Sequence, residues 1–162
     1  MYIYTMKEVF YIKTPIGTLQ ITQLHGNVCS ISLCNVQCAS VLMTPLQQMV
    51  KSEIEGYFAG KVHKFSFPVS MEGTPFQQRV WEELMRIPFG STATYGEIAG
   101  RIGAPKAARA VGMACNRNPL LLAVPCHRVV GAGGRLTGFA VGIERKEFLL
   151  NLEKQKSRQP FG

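Results

Sequence analysis

The chain has 162 residues, of which 46% are hydrophobic and 17% charged, a balance that indicates one folded domain or two small ones and excludes a disordered chain. Its ten acidic residues are all glutamates, which excludes aspartate-based catalytic triads and EF-hand loops, and no apolar run approaches the ~20 residues of a membrane span. The net charge of +8 is concentrated after residue 73, where all nine arginines lie, so this half carries either a surface for a polyanion or simply a soluble basic face.

The first 33 residues predict a small antiparallel sheet. Apolar and polar residues alternate from residue 8 to residue 33, which is typical of strands with one buried face. Turn-forming residues interrupt the alternation at 14–17 and at 25–27. We therefore expect three strands in an antiparallel meander.

A helix should follow this sheet. Thr44 is a natural N-cap, and Pro45 suits the first helical position because its missing N–H would have no partner there. Gly60 provides the end of the helix, and residues 65–69 read as an extended segment. Because the arginine content rises after Gly73, we place the domain boundary at this residue.

The second half reads as mainly helical. The capping pattern at residues 74–77 opens one helix, and the pattern at 94–97 opens a short helix that runs to about Ile102. Residues 103–105 form a turn containing glycine, after which Pro105 starts a helix from Lys106 to about Cys115. Two short helices with such a turn predict a helix-turn-helix. A last helix, from about Gly142 to Leu152, should bury Ile143, Phe148, Leu149 and Leu152.

The expected fold class is therefore α+β. Residues 1–73 would form a small N-terminal α/β domain with a three-stranded antiparallel sheet, and residues 74–162 a mainly helical C-terminal domain with a helix-turn-helix. We expect the polar tail from Lys154 to Gly162 to be frayed.

The second helix of the helix-turn-helix is nearly bare. Lys106 and Arg109 are its long cations, and most other positions are small. Small residues let a backbone approach DNA closely, and one long arginine can fill space inside a base stack. Tight packing against a neighbouring helix would explain the same composition. The small residues are Ala107, Ala108, Ala110, Gly112 and Ala114.

Cys126, His127 and Arg128 follow one another after an apolar stretch. A neighbouring imidazole and a positive field favour the thiolate, the nucleophilic form of cysteine. Adjacent side chains rarely face each other, so we expect His127 to reach the thiol through a water. In the absence of aspartate a glutamate must orient the histidine, and Glu153 is one candidate. The alternative is a buried structural cysteine beside a surface histidine.

The remaining cysteines carry weaker signals. His25, Cys29, Cys34 and Cys38 lie close in sequence but lack the spacing of zinc ligands, so we expect no metal. Cys115, near a helix end, reads as a core residue. Five cysteines without a secretion signal indicate a reducing compartment, and we expect a cytoplasmic protein.

From Phe76 to Glu153 the chain closely resembles the C-terminal domain of the O6-alkylguanine-DNA alkyltransferases, also called methylated-DNA–protein-cysteine methyltransferases. The matching segments keep the family's order and spacing over about half of the chain, whereas the N-terminal half matches only in architecture. These segments are Phe89-Gly90, Thr94 to Ala99, Lys106 to Gly112, Asn118-Pro119, Pro125 to Gly131 and Arg145 to Leu150.

The resemblance implies DNA repair by direct reversal. In this family the helix-turn-helix binds duplex DNA from the minor groove, and an alkylated guanine is flipped into a pocket. Cys126 would then take the alkyl group from O6-alkylguanine, and from O4-alkylthymine, once per molecule and without a cofactor. We expect a monomer that binds double-stranded DNA and no membrane.

The resemblance also assigns residues to this chemistry. His127 and Glu153 match the pair that activates the thiol, and Asn118 matches the asparagine that braces the active-site turn. Tyr95 matches the tyrosine that contacts the guanine, and Arg109 the arginine that replaces the flipped base. The remaining DNA and substrate contacts implied are Lys106, Ala107, Ala108, Val129, Phe139, Ala140 and Val141.

Two residues depart from the family pattern. Phe139 stands where a tyrosine is usual and lacks its hydroxyl, and Val141 stands where a glycine is usual. Val141 adds a branched side chain and disfavours positive φ angles. We therefore expect a tighter pocket that discriminates against bulky adducts such as benzyl.

Three other readings of the sequence compete with alkyl transfer. Alkyltransferase-like proteins bind lesions without reacting, but those relatives replace the cysteine. A cysteine hydrolase would need a base in direct contact with the thiol, which the adjacency of Cys126 and His127 makes awkward. A transcriptional regulator would need more base-reading side chains than the bare helix offers.

Overall fold

The structure, a computed structural model, describes residues 7–36 and 42–158. The chain divides into two compact units, unit 1 at Met1–Glu72 and unit 2 at Gly73–Gly162. Three antiparallel strands and five helices lie within the described ranges, which confirms the α+β fold class. None of these helices combines the length and the hydropathy that crossing a bilayer requires.

Unit 1 contains the predicted sheet. Strands β1 (Glu8–Thr14), β2 (Gly17–Leu24) and β3 (Asn27–Cys34) form an antiparallel meander in the order β1-β2-β3. Its buried face is apolar because every second residue points inward, as in the pairing of Phe10 with Ile21. The prediction of a three-stranded meander is confirmed.

Helix α1 (Pro45–Phe58) packs against strand β1 of this sheet. Thr44 caps it as predicted: its hydroxyl accepts a hydrogen bond from the Gln47 N–H, and its own N–H donates one to the Gln47 side-chain oxygen. The predicted extended segment at 65–69 forms no strand. Its one described ladder contact is a parallel bridge between Val28 and Val69.

Unit 2 is built on four helices, α2 (Pro75–Leu84), α3 (Tyr95–Arg101), α4 (Ala108–Asn116) and α5 (Ile143–Ser157). Helix α2 begins at the predicted capping box and buries Val80, Trp81 and Leu84. The Trp81 indole donates a hydrogen bond of 2.9 Å to the carbonyl of Ala114, which fixes α2 against α4.

The helix-turn-helix differs from its prediction at the turn. Residues 102–107 connect α3 to α4, so the connection is longer than three residues and α4 begins at Ala108 rather than at Lys106. Just before α4 begins, the chain makes a tight turn in which the Ala107 N–H donates to the carbonyl of Ala104. Arg79 of α2 donates to the carbonyl of Ile102 and so satisfies the end of α3.

Helix α5 buries Leu149 as predicted, but the rest of its buried face differs from the prediction. Its buried residues are Lys146, Leu149 and Glu153, spaced three and four residues apart. Ile143 and Phe148 are 47% and 43% exposed, so the prediction that they are buried is wrong. The helix also continues to Ser157 beyond the start of the tail that we expected to be frayed, while residues 159–162 lie outside the described ranges.

A short parallel pair joins two distant segments of unit 2. Strand β4 (Ala93–Thr94) pairs with β5 (Val129–Val130), with Ala93 opposite Val129. Tyr95 follows β4 directly, and the segment 126–128 precedes β5 directly. This pairing therefore places the start of α3 close to the turn that holds Cys126.

Candidate active site

Cys126 lies in a buried helical turn. Residues 126–128 form one turn of 3₁₀ helix, and Cys126 is 5% exposed. The Asn118 side-chain amide lies 3.2 Å from the Cys126 sulfur and donates a hydrogen bond to it. The thiol is therefore held in place before any substrate arrives.

Asn118 also braces the loop that leads to Cys126. Its amide nitrogen donates a 2.7 Å hydrogen bond to the carbonyl of Val124, and its oxygen accepts one of 2.8 Å from the Leu120 N–H. Leu122, inside this loop, has a φ of +72°, a conformation that costs a leucine about 1–2 kcal/mol. The hydrogen bonds from Asn118 offset this cost and fix the approach to Cys126.

His127 and Arg128 both bind the carboxylate of Glu153. His127 Nε2 lies 2.6 Å from Glu153 Oε2, and Arg128 donates through Nε (2.8 Å) and Nη2 (3.1 Å) to the two carboxylate oxygens. The Gly90 N–H donates a further hydrogen bond of 3.1 Å, and Arg128 also donates to the carbonyl of Ile87. The expectation that Glu153 orients His127 agrees with this geometry.

Burial governs the electrostatics of this cluster. It raises the pKa of the Cys126 thiol, and the Asn118 hydrogen bond and the Lys146 charge offset this only in part. Burial lowers the pKa of His127, with Glu153 acting in the opposite direction. Burial alone would raise the pKa of Glu153, but His127 and Arg128 more than compensate and hold the group ionised. These shifts favour a thiol beside a neutral imidazole in the resting state, whereas the neighbouring imidazole and positive charge seen in the sequence favour the thiolate.

Lys146 is a second buried cation near the thiol. Its Nζ donates a 3.0 Å hydrogen bond to the carbonyl of Thr137 and lies 5.8 Å from the centre of the Tyr95 ring. Burial lowers the pKa of Lys146. Cys115 is buried as predicted, and burial raises its pKa to about 12.

Tyr95, the first residue of α3, packs between α4 and the loop that precedes α5. A Cβ at Gly112 of α4 would lie 3.7 Å from the Tyr95 ring, an ordinary contact distance. The Tyr95 hydroxyl lies 3.3 Å from the Thr137 hydroxyl, which donates to it. Burial raises the pKa of Tyr95, so the phenol is protonated at neutral pH.

The loop before α5 carries three of the predicted substrate contacts. Phe139 and Val141 are half-buried, and Ala140 is exposed. The Gly142 N–H donates to the carbonyl of Phe139, and Arg145 donates to the carbonyl of Val141. The positive φ of this loop, +102°, falls at Gly142 rather than at Val141. Val141 therefore meets no conflict at a positive φ, and it differs from glycine in the size of its side chain and in its more restricted backbone.

The predicted DNA contacts lie on and before α4. Lys106 and Arg109 are exposed, whereas Ala107 and Ala108 are half-buried. Among the described residues, no hydrogen bond or ion pair links these four to Cys126. Val129 is fully buried in β5. The structure thus brings together Cys126, His127, Glu153 and Asn118, and leaves the cationic end of α4 open.

Comparisons with known proteins divide the chain at nearly the same place as its two compact units. Residues 75–155 match the family model of the 6-O-methylguanine DNA methyltransferase DNA binding domain, and residues 7–71 that of its ribonuclease-like domain. A methylated-DNA–protein-cysteine methyltransferase of Mycobacterium bovis is 54% identical over 156 residues, which cover 90% of this chain and 92% of that protein. The chain belongs to the methylated-DNA–protein-cysteine methyltransferase family. The expected function, DNA repair by alkyl transfer to a cysteine, is confirmed at this level.

Two further matches support the family assignment. The methyltransferase of Methanosarcina acetivorans is 58% identical over 101 residues, which cover 62% of this chain and 65% of that protein. The crystal structure of Mycobacterium tuberculosis OGT in complex with DNA aligns with a TM-score of 0.83 at 41% identity, over 91% of this chain and 93% of that one.

Several residues that shape the methyltransferase site were missed from sequence. Arg128 reads from the sequence only as a positive charge, but it is buried and lies over the Phe89 ring at 5.9 Å. Lys146 had no assigned role, yet its spacing from Leu149 and Glu153 could have placed it on their face of α5. Thr137 gave no sequence signal, because its contact with Tyr95 joins residues 42 positions apart.

No metal site accompanies this cluster. The described ranges contain no group of three or more His, Cys or Glu placed to hold a metal ion. Cys29 and Cys34 lie on β3, and Cys38 lies outside the described residues.

Proposed function

We propose that Cys126 accepts an alkyl group directly from O6-alkylguanine, and from O4-alkylthymine, in double-stranded DNA. The observation that carries this proposal is the buried thiol, held by Asn118 and followed in the chain by the His127–Glu153 pair. In one displacement the sulfur–carbon bond forms and the carbon–oxygen bond breaks, so that the unmodified base remains in the DNA.

The path of the thiol proton follows from the electrostatics of the cluster. The Nε2–H of neutral His127 donates to Glu153, which leaves the lone pair on Nδ1 as the base. His127 takes the thiol proton through a water, and Glu153 stabilises the imidazolium that forms. The departing guanine gains one proton, which balances the one lost by Cys126.

Each molecule should react once. The product is a thioether, whose carbon–sulfur bond is not hydrolysed by the groups near Cys126. His127 is a base and Lys146 a cation, and neither can regenerate the thiol from an alkyl sulfide. The protein is then consumed in a stoichiometric reaction.

The open end of α4 supports binding from the minor groove. Ala107 and Ala108 at the start of the helix present little side chain, which permits close approach of the backbone to DNA. Exposed Arg109 can enter the base stack in place of the flipped base, while Lys106 neutralises phosphate. This assigns DNA binding and alkyl transfer to residues 74–162. The small N-terminal domain, residues 1–73, keeps no assigned chemistry.

The flipped base would meet the loop before α5. Val129, Phe139, Ala140 and Val141 would line the pocket, with the Val129 and Ala140 contacts made through the backbone. Tyr95 would also contact the guanine. The expected monomeric state and cytoplasmic location stay predictions.

Intact-protein mass spectrometry tests the proposal. The wild-type protein is incubated with excess duplex that carries one O6-methylguanine, beside Cys126→Ser and Cys115→Ser. Wild type and Cys115→Ser should gain the mass of one methylene and stop at one equivalent, while Cys126→Ser gains none. If the wild type binds the duplex but gains no mass, the protein recognises lesions without repairing them and the proposal fails.

A further inference from the structure

Thr137 links three segments of unit 2 around the site. Its hydroxyl donates to the Tyr95 hydroxyl at 3.3 Å, and its carbonyl accepts the 3.0 Å hydrogen bond from Lys146. Its methyl group packs over Gly131, where an added Cβ would approach it to 3.2 Å. Thr137 therefore connects the loop before α5 to the start of α3 and to the buried face of α5.

The direction of the bond to Tyr95 determines what the phenol can do. A phenol carries one hydrogen and can also accept through its oxygen. Either hydroxyl can donate to the other, and when Thr137 donates, the hydrogen of Tyr95 remains available for another acceptor. Among the described residues Thr137 is the only hydrogen-bond partner of this hydroxyl, so that acceptor has to come from outside the cluster.

We propose that Thr137 is a positioning residue for alkyl transfer, whose hydroxyl holds the Tyr95 oxygen so that the phenol donates its hydrogen to the base in the pocket. This rests on the proposed function, in which Tyr95 contacts the guanine. Thr137 touches neither the base nor Cys126 in this scheme. It acts only through Tyr95.

The charge balance at Tyr95 supports this role. Burial raises the pKa of Tyr95, while the hydrogen bond from Thr137 lowers it. The phenol thus stays protonated, and Thr137 stabilises the negative charge that grows on its oxygen as it donates. A leaving guanine gains electron density when the carbon–oxygen bond breaks, so this donor matters most in the transition state.

The chain allows the hydroxyl to be removed without disturbing its surroundings. Lys146 binds the backbone carbonyl of Thr137, which any side chain at this position retains. Thr137→Val keeps the branched shape and loses only the hydroxyl, whereas Thr137→Ser keeps the hydroxyl and loses the methyl. This matched pair separates hydrogen bonding from packing.

The experiment measures single-turnover methyl transfer from an O6-methylguanine duplex. Wild type, Thr137→Val and Thr137→Ser are each compared with the same protein carrying Tyr95→Phe. We expect Thr137→Val to react about fivefold more slowly and Thr137→Ser to stay within about twofold of wild type. In the Tyr95→Phe background Thr137→Val should cause no further loss. Affinity for unmodified duplex should not change.

A readout without substrate accompanies the rates. The titration of Tyr95, followed by phenolate absorbance as the difference between each protein and its Tyr95→Phe counterpart, should shift upward in Thr137→Val and not in Thr137→Ser. An equal rate for Thr137→Val and wild type overturns the proposal, as does an equal loss in both Tyr95 backgrounds. If wild type transfers no methyl group, the proposed function itself fails, and the titration still reports whether Thr137 binds Tyr95.

Discussion

The two ends of the site are held very differently. At the nucleophile end, Asn118, His127, Arg128 and Glu153 form a buried network in which the carboxylate accepts from three residues. At the substrate end, the loop before α5 is tied by the Thr137 contacts with Tyr95 and Lys146 and by backbone bonds at Phe139 and Val141. The first end is preorganised, and the second is lightly held and largely half-exposed.

This difference fits the task of each end. In the proposed reaction the thiol reacts once, so it must stay protonated and protected until the base arrives, and burial achieves this by raising the pKa of Cys126. The pocket proposed for the flipped base must admit that base, so its walls cannot be packed as tightly. Substitutions at the two ends should therefore differ in kind: the first should lower stability and rate together, the second mainly the choice of substrate.

Glu153→Gln should have the largest effect, because it breaks the centre of the buried network. Donors from His127, Arg128 and Gly90 converge on the carboxylate, and an amide offers them one oxygen and adds a donor of its own. We expect a loss of about 3–5 kcal/mol in the free energy of unfolding, measured in urea. The rate of methyl transfer should fall at least about 100-fold.

Glu147→Gln is the matched control, since Glu147 is exposed on the same helix. It should change neither the stability nor the rate. A Glu153→Gln protein as stable as the control would show that the network contributes little to the fold, and the contrast between the two ends would collapse.

Asn118 substitutions should come next. Asn118→Ala removes hydrogen bonds to Val124, Cys126 and Leu120, and we expect a loss of about 2–3 kcal/mol in the free energy of unfolding. Asn118→Asp retains an acceptor for Leu120 but places an anion beside the sulfur, which disfavours the thiolate further. Asn118→Asp should thus react more slowly than Asn118→Ala, measured as single-turnover rates.

Exposed Asn116, at the end of α4, provides the control variant Asn116→Ala. If Asn118→Asp reacted as fast as Asn118→Ala, the amide would serve the loop alone and not the thiol.

Acid should destabilise unit 2 through the same network. Burial lowers the pKa of His127 below the ordinary 6.5, so the unfolded chain binds this proton at a higher pH than the folded one. Burial alone would raise the pKa of Glu153, but His127 and Arg128 depress it. The stability that the Glu153 carboxylate contributes is therefore lost as the pH falls through the pKa that this group has in the folded protein. Both groups act with the same sign, so the free energy of unfolding decreases on acidification below pH 6.5.

Urea denaturation at about pH 7.5 and about pH 5 measures the part of this loss that is due to His127. His127→Gln removes one of the two groups and should reduce the pH dependence. A stability that rose toward pH 5 would contradict the assignment of a neutral buried His127.

Local sequence rules account for much of this structure. Both predicted threonine-proline caps are present, at Thr44 and Thr74, because capping depends on residues within one turn. At Thr94 only half of the box forms: the side chain accepts from the Glu97 N–H, while the Glu97 carboxylate lies 3.6 Å from Arg101. The alternation of apolar and polar residues likewise predicts strands β1 to β3, because it too depends on residues close together in the sequence.

The structural features that the sequence does not predict depend on contacts between distant segments. Apolar periodicity placed Ile143 and Phe148 in the core, but α5 buries Lys146 and Glu153, because Glu153 meets His127 and Arg128 and the Lys146 amine meets the carbonyl of Thr137. Strands β4 and β5 have two residues each, which is too short for an alternation of apolar and polar residues to be recognised in the sequence. The protonated state of Cys126 follows from burial, which neighbouring residues in the sequence do not reveal.

Val141→Gly should leave methyl transfer unchanged and tests the substrate end. The Arg145 side chain donates a hydrogen bond to the backbone carbonyl of Val141, and glycine at this position would retain that bond. Removing the Val141 side chain therefore mainly enlarges the pocket. We expect the variant to react with O6-benzylguanine roughly tenfold faster than wild type, with an unchanged rate on O6-methylguanine duplex. Equal benzylguanine rates would refute the tighter pocket.

Glycine also loosens the chain, and Val141→Ala separates this from size. Alanine removes the branched methyl groups but keeps φ restricted to the usual region, and the native φ at this position is not positive. If pocket size limits bulky adducts, alanine should recover most of the gain. If only glycine accelerates the reaction, then the lightly held loop must move before a large adduct enters, and the stiffness of residue 141 rather than its volume selects the substrate.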